Sequence, residues 1–382
     1  MNPLPAHEQR NRHFDALAGD PRLLWLGQNT NHLPPHPAVL EAMRSAIERA
    51  AFNAYAPPLG MERLRALILE DLGLPAAQFG VIVTDGAVAG LSHVVRSLLG
   101  AGDRMIVADP GWKWPLIYAR AVGAEPIELP IYDPAQGFRL APAQLRAAAG
   151  ERTRLIYLVD PNNPLGSRIP AEDIAAIAAV AREADATVIH DCTYRHFAEG
   201  HTLLAHSVPE RTVTTYSFSK WLGLAGMRVG AIVAAHDMIG RLAAAAPNAL
   251  GSSVLAQHAA IAGLTVKQHW LPAVIGADRA AKQAIAEAVA RVPGLALPVT
   301  PSHGNFVAID VSAASIRPEA LCFAYRRANI LIRQGAYHSA RFADRFVKVS
   351  TTVPADWMAR FCELLPAMVE EARRMNEVPD LF

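Results

Sequence analysis

In the segment YSFSKWLGLAGMRVG, Tyr216 to Gly230, a lysine stands three residues after Ser217 and eight before Arg228. Lys220 lies among Phe218, Trp221 and Leu222 at the end of what reads as a buried strand. Burial there strips water from its amine and favours the neutral, nucleophilic form. Such an amine can condense with a carbonyl to give a Schiff base. A lone lysine of this kind more often snorkels out of an apolar turn. Ser217 and Arg228 tilt the balance, because a hydroxyl and a guanidinium together suit a phosphate. The segment VTDGAVAGL, residues 83–91, adds a third part. It reads as strand, glycine turn and helix start, leaving the N–H groups of Gly86, Ala87 and Val88 without intrahelical partners and facing an anion.

Elements must bring these places together. From about residue 80, short apolar runs alternate with helix-length segments: VIVTDG, RMIVADP, AEPIELPIY, RLIYLVDPNN, TVIHDCTY, TVTTYSFSK and RVGAIVAA. Continuous rather than alternating hydrophobicity marks strands covered on both faces. The spacing predicts an α/β fold with a mostly parallel sheet of seven strands. Asp85-Gly86, Asp109-Pro110, Asn162-Asn163, Asp191 and Ser219-Lys220 all fall at strand ends. Singly these are turn formers; five at one edge point to a shared crevice, where open α/β sheets bind ligands. After a helical stretch at 255–291 the pattern turns to a smaller α+β unit, which the N-terminal residues are expected to join. The predicted division is a large domain over 46–285 and a small domain from 1–45 plus 286–382.

The chain has 382 residues, with 36 Lys and Arg against 35 Asp and Glu, a net charge of +1. That balance offers no broad footprint for nucleic acid or an anionic membrane. Apolar residues make up 52% and charged residues 19%, which suits a large buried core. Cys192, Cys322 and Cys362 are scattered, so neither a disulfide framework nor a structural zinc site is expected. His32 and His36 lack a third ligand nearby, and Gly226–Gly230 precedes a strand where a dinucleotide fingerprint requires a helix. The uncharged stretch from Leu242 to Val266 carries Pro247, Asn248 and Gln257 and reads as a turn plus a buried helix. A polar N-terminus without a signal-like run leads us to expect a soluble, cytoplasmic protein.

The ordered set of motifs resembles the pyridoxal-phosphate-dependent class I/II aminotransferases of fold type I, near the histidinol-phosphate aminotransferase branch. The likeness runs from LGQNTNHLPPHPAVLEAM to RFVKVS. It implies that Lys220 carries pyridoxal 5'-phosphate as an internal aldimine and moves a proton at the substrate's Cα. It implies that Asp191 pairs with the pyridine nitrogen, and that Tyr194 and Asn163 hydrogen-bond the phenolic oxygen. Trp112 matches the position stacked on the ring, with Trp114 packing nearby. Gly86, Ala87, Val88, Ser217, Ser219 and Arg228 belong to the phosphate side. Tyr55 matches a tyrosine that reaches across a homodimer interface. Where the family has an arginine for the α-carboxylate, this chain has Lys348, with Arg333 as a second cation. Lysine offers a point charge in place of a planar fork. Asn31, His32, Trp114, Tyr337 and His338 are candidates to line the substrate pocket. The implied activity is ping-pong transfer of an amino group from an amino acid to a 2-oxo acid. A decarboxylase, cyclase or eliminating lyase on the same fold is the alternative that Lys348 motivates, and a DNA-binding regulator fits poorly because no basic recognition helix is visible.

Overall fold

The computed structural model describes residues 5–245 and 250–379. The chain begins with α1 (Ala6–Ala18), the two-residue β1 (Leu24–Trp25), α2 (Pro37–Glu48) and α3 (Glu62–Leu72). The middle alternates β2 (Phe79–Thr84), α4 (Ala87–Leu98), β3 (Arg104–Asp109), α5 (Trp114–Ala121), β4 (Glu125–Pro130), α6 (Pro142–Ala148), β5 (Thr153–Val159), α7 (Ala171–Glu183) and β6 (Thr187–Asp191). It continues through β7 (Thr212–Ser217), β8 (Gly230–Ala235), α8 (His236–Ala244) and α9 (Val254–Ala290). The last third holds β9 (Phe306–Asp310), α10 (Pro318–Arg327), β10 (Ile330–Leu331), β11 (Arg333–Gln334), β12 (Phe346–Ser350) and α11 (Ala355–Arg373).

Local sequence explains these elements. Pro170 precedes α7, whose first turn holds Glu172 and Asp173 beside the positive end of the helix dipole. Ile174, Ile177, Ala178 and Ala181 recur at helical spacing and are buried. The strands β2, rich in Val and Ile, and β7, rich in Thr, are buried along their whole length, as strands covered on both faces must be.

The large sheet has the order β2-β8-β7-β6-β5-β3-β4. Each adjacent pair is parallel except the two that involve β8, which runs antiparallel to β2 and to β7. All seven apolar runs read from the sequence are its strands. Because β8 runs backwards, its beginning lies at the same edge as the ends of β2, β5, β6 and β7. The chain leaves β7 at Ser217 and re-enters the sheet at Gly230, and both points lie on that edge, paired with each other.

A second, antiparallel sheet, β11-β12-β9, packs with α10 and α11 around Tyr325 and Phe361, whose rings stack 4.7 Å apart. The 37-residue α9, roughly 55 Å long at 1.5 Å per residue, ties the two cores together. Ala256, Ala259 and Leu264 near its start pack under the large sheet, while Ile285, Ala288 and Val289 near its end enter the smaller core. The turn expected near Pro247 and Asn248 lies outside the described residues. Leu26, next to β1, also joins the smaller core. We propose the division 46–285 and 1–45 plus 286–382, with the last turns of α9 shared between the cores. Among the described residues no helix is long and apolar enough to cross a membrane.

At Gly230 a Cβ would overlap the backbone nitrogen of Ala87 and crowd the carbonyl of Tyr216. Rigid backbone cannot yield as a side chain would, so Gly230→Ala is expected to lower unfolding stability by roughly 1–3 kcal/mol. Urea denaturation of the two proteins measures this, and an unchanged midpoint would show that the edge relaxes.

Candidate active site

A cavity of about 350 Å³ opens at the carboxyl edge of the large sheet. Among its lining residues are Ala87, Val88, Trp112, Asn163, Asp191, Tyr194, Ser217, Ser219, Lys220, Arg228, Arg333 and Lys348. The structure therefore brings together residues from most of the strand ends singled out in the sequence.

At one end lies an anion cup. Gly86, with φ +77°, turns the chain from β2 into α4 and caps that helix. A side chain at Gly86 would collide with the Arg228 guanidinium, so glycine is needed for conformation and for space. Arg228 takes a left-handed φ of 54° and is held by its Nη1, which donates to Ala225 O at 2.7 Å, and by Nη2, which donates to Asp85 O at 3.3 Å. Ser217 Oγ accepts from the Ser219 N–H at 3.2 Å. The first N–H groups of α4, the guanidinium and the two serines converge on one small volume.

Lys220 follows this cup. Its Nζ donates to Gln28 O at 3.2 Å. Burial, then the Arg228 charge, push its amine down to about 8, against the opposing pull of Asp191. A minor neutral fraction at neutral pH follows, larger than an ordinary lysine has, and it is the form that nucleophilic attack requires.

Asp191 is the only acidic residue among the described residues lining the cavity. Its Oδ1 accepts from Thr193 Oγ1 and Thr215 Oγ1, each at 2.7 Å, and from the Thr193 N–H at 3.2 Å. Its Oδ2 accepts from Tyr157 OH at 2.8 Å. Hydrogen bonds to a charged acceptor contribute about 1.5–3 kcal/mol each, enough in sum to hold a buried carboxylate in fixed orientation. Burial, then the charge of Asp191, hold the Tyr157 phenol well above its usual value, so it stays a donor.

Tyr194 and Asn163 meet through Asn29, which comes from the distant N-terminal segment. Asn29 Nδ2 donates to Tyr194 OH at 3.0 Å and to Asn163 Oδ1 at 3.4 Å, while its Oδ1 is buried without a partner. Asn29 sits at φ +53°, a left-handed conformation that asparagine tolerates better than most residues. Lys348 Nζ donates to the same Asn163 oxygen at 2.9 Å.

Trp112, Trp114, Tyr337 and His338 all line the cavity. Asn31 and His32 do not: Asn31 is spent on Trp221 O at 3.2 Å and on the Leu33 N–H at 3.0 Å, and His32 packs on Trp357. Two residues apart, Asn29 takes the place expected of Asn31. Tyr55 is 79% exposed and lies outside the cavity lining. Asn29 and Tyr157 were not singled out in the sequence. Tyr157 sits mid-strand in LIYLV and looks like ordinary core until β5 is placed beside β6.

Behind the site, His190, Cys192 and His201 bring three metal-ligand atoms within 4.8 Å of one another. Asp160 Oδ2 already engages both imidazoles, at 3.3 Å from His190 Nε2 and 3.0 Å from His201 Nε2, and the rings stack. Burial opposes the Asp160 charge, yet these hydrogen bonds hold its carboxyl below the usual range. Its Oδ1 accepts from the Ile169 N–H at 2.8 Å, which fixes the loop carrying Asn163.

Comparison with known proteins gives concordant results. The sequence model of the family described as aminotransferase class I and II matches residues 21–365. A histidinol-phosphate aminotransferase of Rhodospirillum centenum is 32% identical over 84% of this chain and 85% of its own length. A probable aspartate/prephenate aminotransferase of Thermus aquaticus is 29% identical over 80% of each chain. The fold matches an aspartate aminotransferase of Thermus thermophilus solved with maleate, at TM-score 0.82 and 24% identity over 96% of this chain and 97% of that one. It also matches the N-succinyldiaminopimelate aminotransferase of Mycobacterium tuberculosis, at TM-score 0.83 and 24% identity over 94% and 96% of the two chains.

Tyr157→Phe removes one donor from Asp191 and leaves the packing intact. Turnover is expected to fall about 10- to 100-fold, the equivalent of one charge-assisted hydrogen bond. Steady-state kinetics beside an unchanged unfolding curve test this; unchanged turnover would mean that the other three donors suffice.

Proposed function

This chain belongs to the aminotransferase class I and II family, and we propose that the cavity at the strand ends is its active site, with Lys220 as the covalent anchor. The protein is a pyridoxal-phosphate-dependent aminotransferase of fold type I that acts on amino acids and 2-oxo acids. The observation that carries the site assignment is convergence: an amine of depressed basicity, an oriented carboxylate and an anion cup open onto one cavity.

The residues fit the cofactor. Gly86 leaves no side chain against Arg228, and the start of α4 offers N–H groups to a phosphate. The unpartnered Asn29 Oδ1 and the fixed Asp191 are polar groups that a ring bearing a nitrogen and a phenolic oxygen would engage. Pyridoxal phosphate, when bound, supplies a ring that accepts the negative charge left on Cα after its proton departs. Gly86, Ala87, Val88, Ser217, Ser219 and Arg228 hold the phosphate. Asp191 keeps the ring nitrogen protonated, since an adjacent carboxylate favours the charged form. Asn163 and Tyr194, tied together by Asn29, hydrogen-bond the phenolic oxygen. Trp112, which lines the cavity, would stack on the ring and exclude water. With the cofactor held there, Lys220 Nζ would take the proton from substrate Cα and would return a proton to that carbon when the 2-oxo acid is aminated. Lys348 receives the α-carboxylate.

The outer cavity favours an amino donor with a second anionic group, phosphate or carboxylate. Arg333 and Lys113 flank the Tyr337 ring at 4.5 and 4.6 Å, and Arg10 lies 5.7 Å from Trp114. Among the described residues Lys113 and Arg10 have no carboxylate within ion-pair distance. Burial, then repulsion from Arg10 and Arg333, lower the Lys113 amine, so an anion there relieves a cost. The names of the curated relatives support this reading. The exposed Phe52, Tyr55 and Leu250 support a homodimer in which Tyr55 reaches the partner's phosphate. Three unpaired cysteines suit the reducing cytoplasm.

Holoenzyme given an amino donor and a 2-oxo acid acceptor should yield the donor's keto acid and the aminated acceptor. Carbon dioxide or ammonia in their place would overturn the reading. Arg333→Ala should cut kcat/KM at least about tenfold for donors with a distal phosphate or carboxylate, and far less for alanine, as loss of one charge-assisted contact implies. Capture of the cofactor by apoenzyme should speed up as pH rises through about 8, where Lys220 loses its proton, and stopped-flow absorbance would read the midpoint.

A further inference from the structure

Lys348 stands where the family resemblance implies an arginine, and its surroundings are unusual for a lysine. It is 3% exposed. The β11-β12 register sets it directly opposite Arg333, so the two side chains share one face of the sheet. Its Nζ donates to a neutral acceptor, Asn163 Oδ1, and lies 5.3 Å from the Phe306 ring. The titratable and charged groups facing it are Arg333 from β11, His338 from the turn that follows, Lys220 after β7 and Tyr194 after β6. None of these described groups is an anion. The one carboxylate of the cavity, Asp191, is taken by Tyr157, Thr193 and Thr215.

An ammonium in that position would be buried with like charges and without a counter-ion, the costliest state a lysine can occupy. Burial, followed by Arg333 and Lys220, accordingly drives its amine well below the ordinary lysine value. The same burial acts on His338 and holds its imidazole neutral. A neutral amine still donates to Asn163, as the geometry requires.

We propose that Lys348 recognises the substrate carboxylate by gaining a proton: the amine rests neutral on Asn163 in the free enzyme, and each arriving carboxylate converts it to an ammonium with one proton taken from solvent. The proposal rests on the reading that this cavity binds the substrate carboxylate at Lys348. The balance is simple, because amine plus proton gives ammonium and no other bond changes. The bound carboxylate raises the amine's basicity, so tight binding belongs to the lower end of the pH range. It fades as pH rises from the free amine's value toward that of the complex. An arginine at this position, charged throughout, has no such dependence. Releasing Nζ from Asn163 also alters the hydrogen bonding of the amide assigned to the cofactor's phenolic oxygen, which links carboxylate recognition to the ring.

The test is titration calorimetry of the holoenzyme with maleate, an unreactive dicarboxylate, in HEPES and in Tris, whose ionisation heats differ. At pH 8 the wild type should take up about one proton per maleate, with Kd rising about tenfold per pH unit above the free amine's value. Lys348→Arg should bind maleate without that uptake and with a flat pH profile. Lys348→Met should bind at least tenfold more weakly while keeping or raising the unfolding temperature. Binding by the wild type without proton uptake overturns the proposal but leaves the carboxylate site in place. So does uptake that persists in Lys348→Arg, or uptake matched by a change in the cofactor's absorption, since the proton then sits at Lys220. If Lys348→Met binds maleate as tightly as the wild type, the assignment of the carboxylate to Lys348 fails as well.

Discussion

One reversed strand sets up the active site. In a wholly parallel sheet the chain leaves every strand at the carboxyl edge and must cross to the other edge before the next strand begins. β8 breaks that rule. Ser217, Lys220 and Arg228 therefore stay at one edge within a single excursion, and Gly230 re-enters beside the start of α4. The spacing of three and eight residues around the lysine reflects that short path. At Gly230 neighbouring backbone, and at Gly86 the Arg228 guanidinium, leave no room for a side chain.

A second constraint is electrostatic. The cavity gathers Lys220, Arg228, Arg333 and Lys348 around one carboxylate, in a chain whose charges otherwise nearly cancel. The proposed function accounts for such an excess, with a phosphate at the cup and carboxylates at the opposite wall as its counter-charges. Asp191 is held in place by its own ring of donors. Burial lowers the basicity of both lysines, and proximity of the other cations lowers it further. The amine proposed to anchor the cofactor and the amine proposed to meet a carboxylate are thus tuned by the same surroundings.

The sequence made much of this legible because the decisive signals are local. The strands are continuous apolar runs with polar residues at their ends, so Lys220 and Arg228 could be picked out from residue type and spacing, while Asp191 and Asn163 stood out only as strand-end residues to which the family resemblance assigns roles. What escaped is non-local. Asn29 reaches Tyr194 and Asn163 across more than a hundred residues of chain, and nothing in GQNTN distinguishes it from Asn31 two positions later. Tyr157 is hidden inside a core strand, and its hydroxyl gains meaning only when β5 lies next to β6. The neutral resting state proposed for Lys348 depends on the register that sets Arg333 opposite it, which no local pattern records.

The central claim is that Lys220, and not the more deeply buried Lys348 in the same cavity, carries the cofactor. Borohydride reduction of the purified holoenzyme, followed by peptide mass mapping, tests this directly. The account predicts a single phosphopyridoxyl adduct on the peptide containing Lys220. An adduct on Lys348, or recovery of the cofactor entirely unbound after reduction, would contradict it.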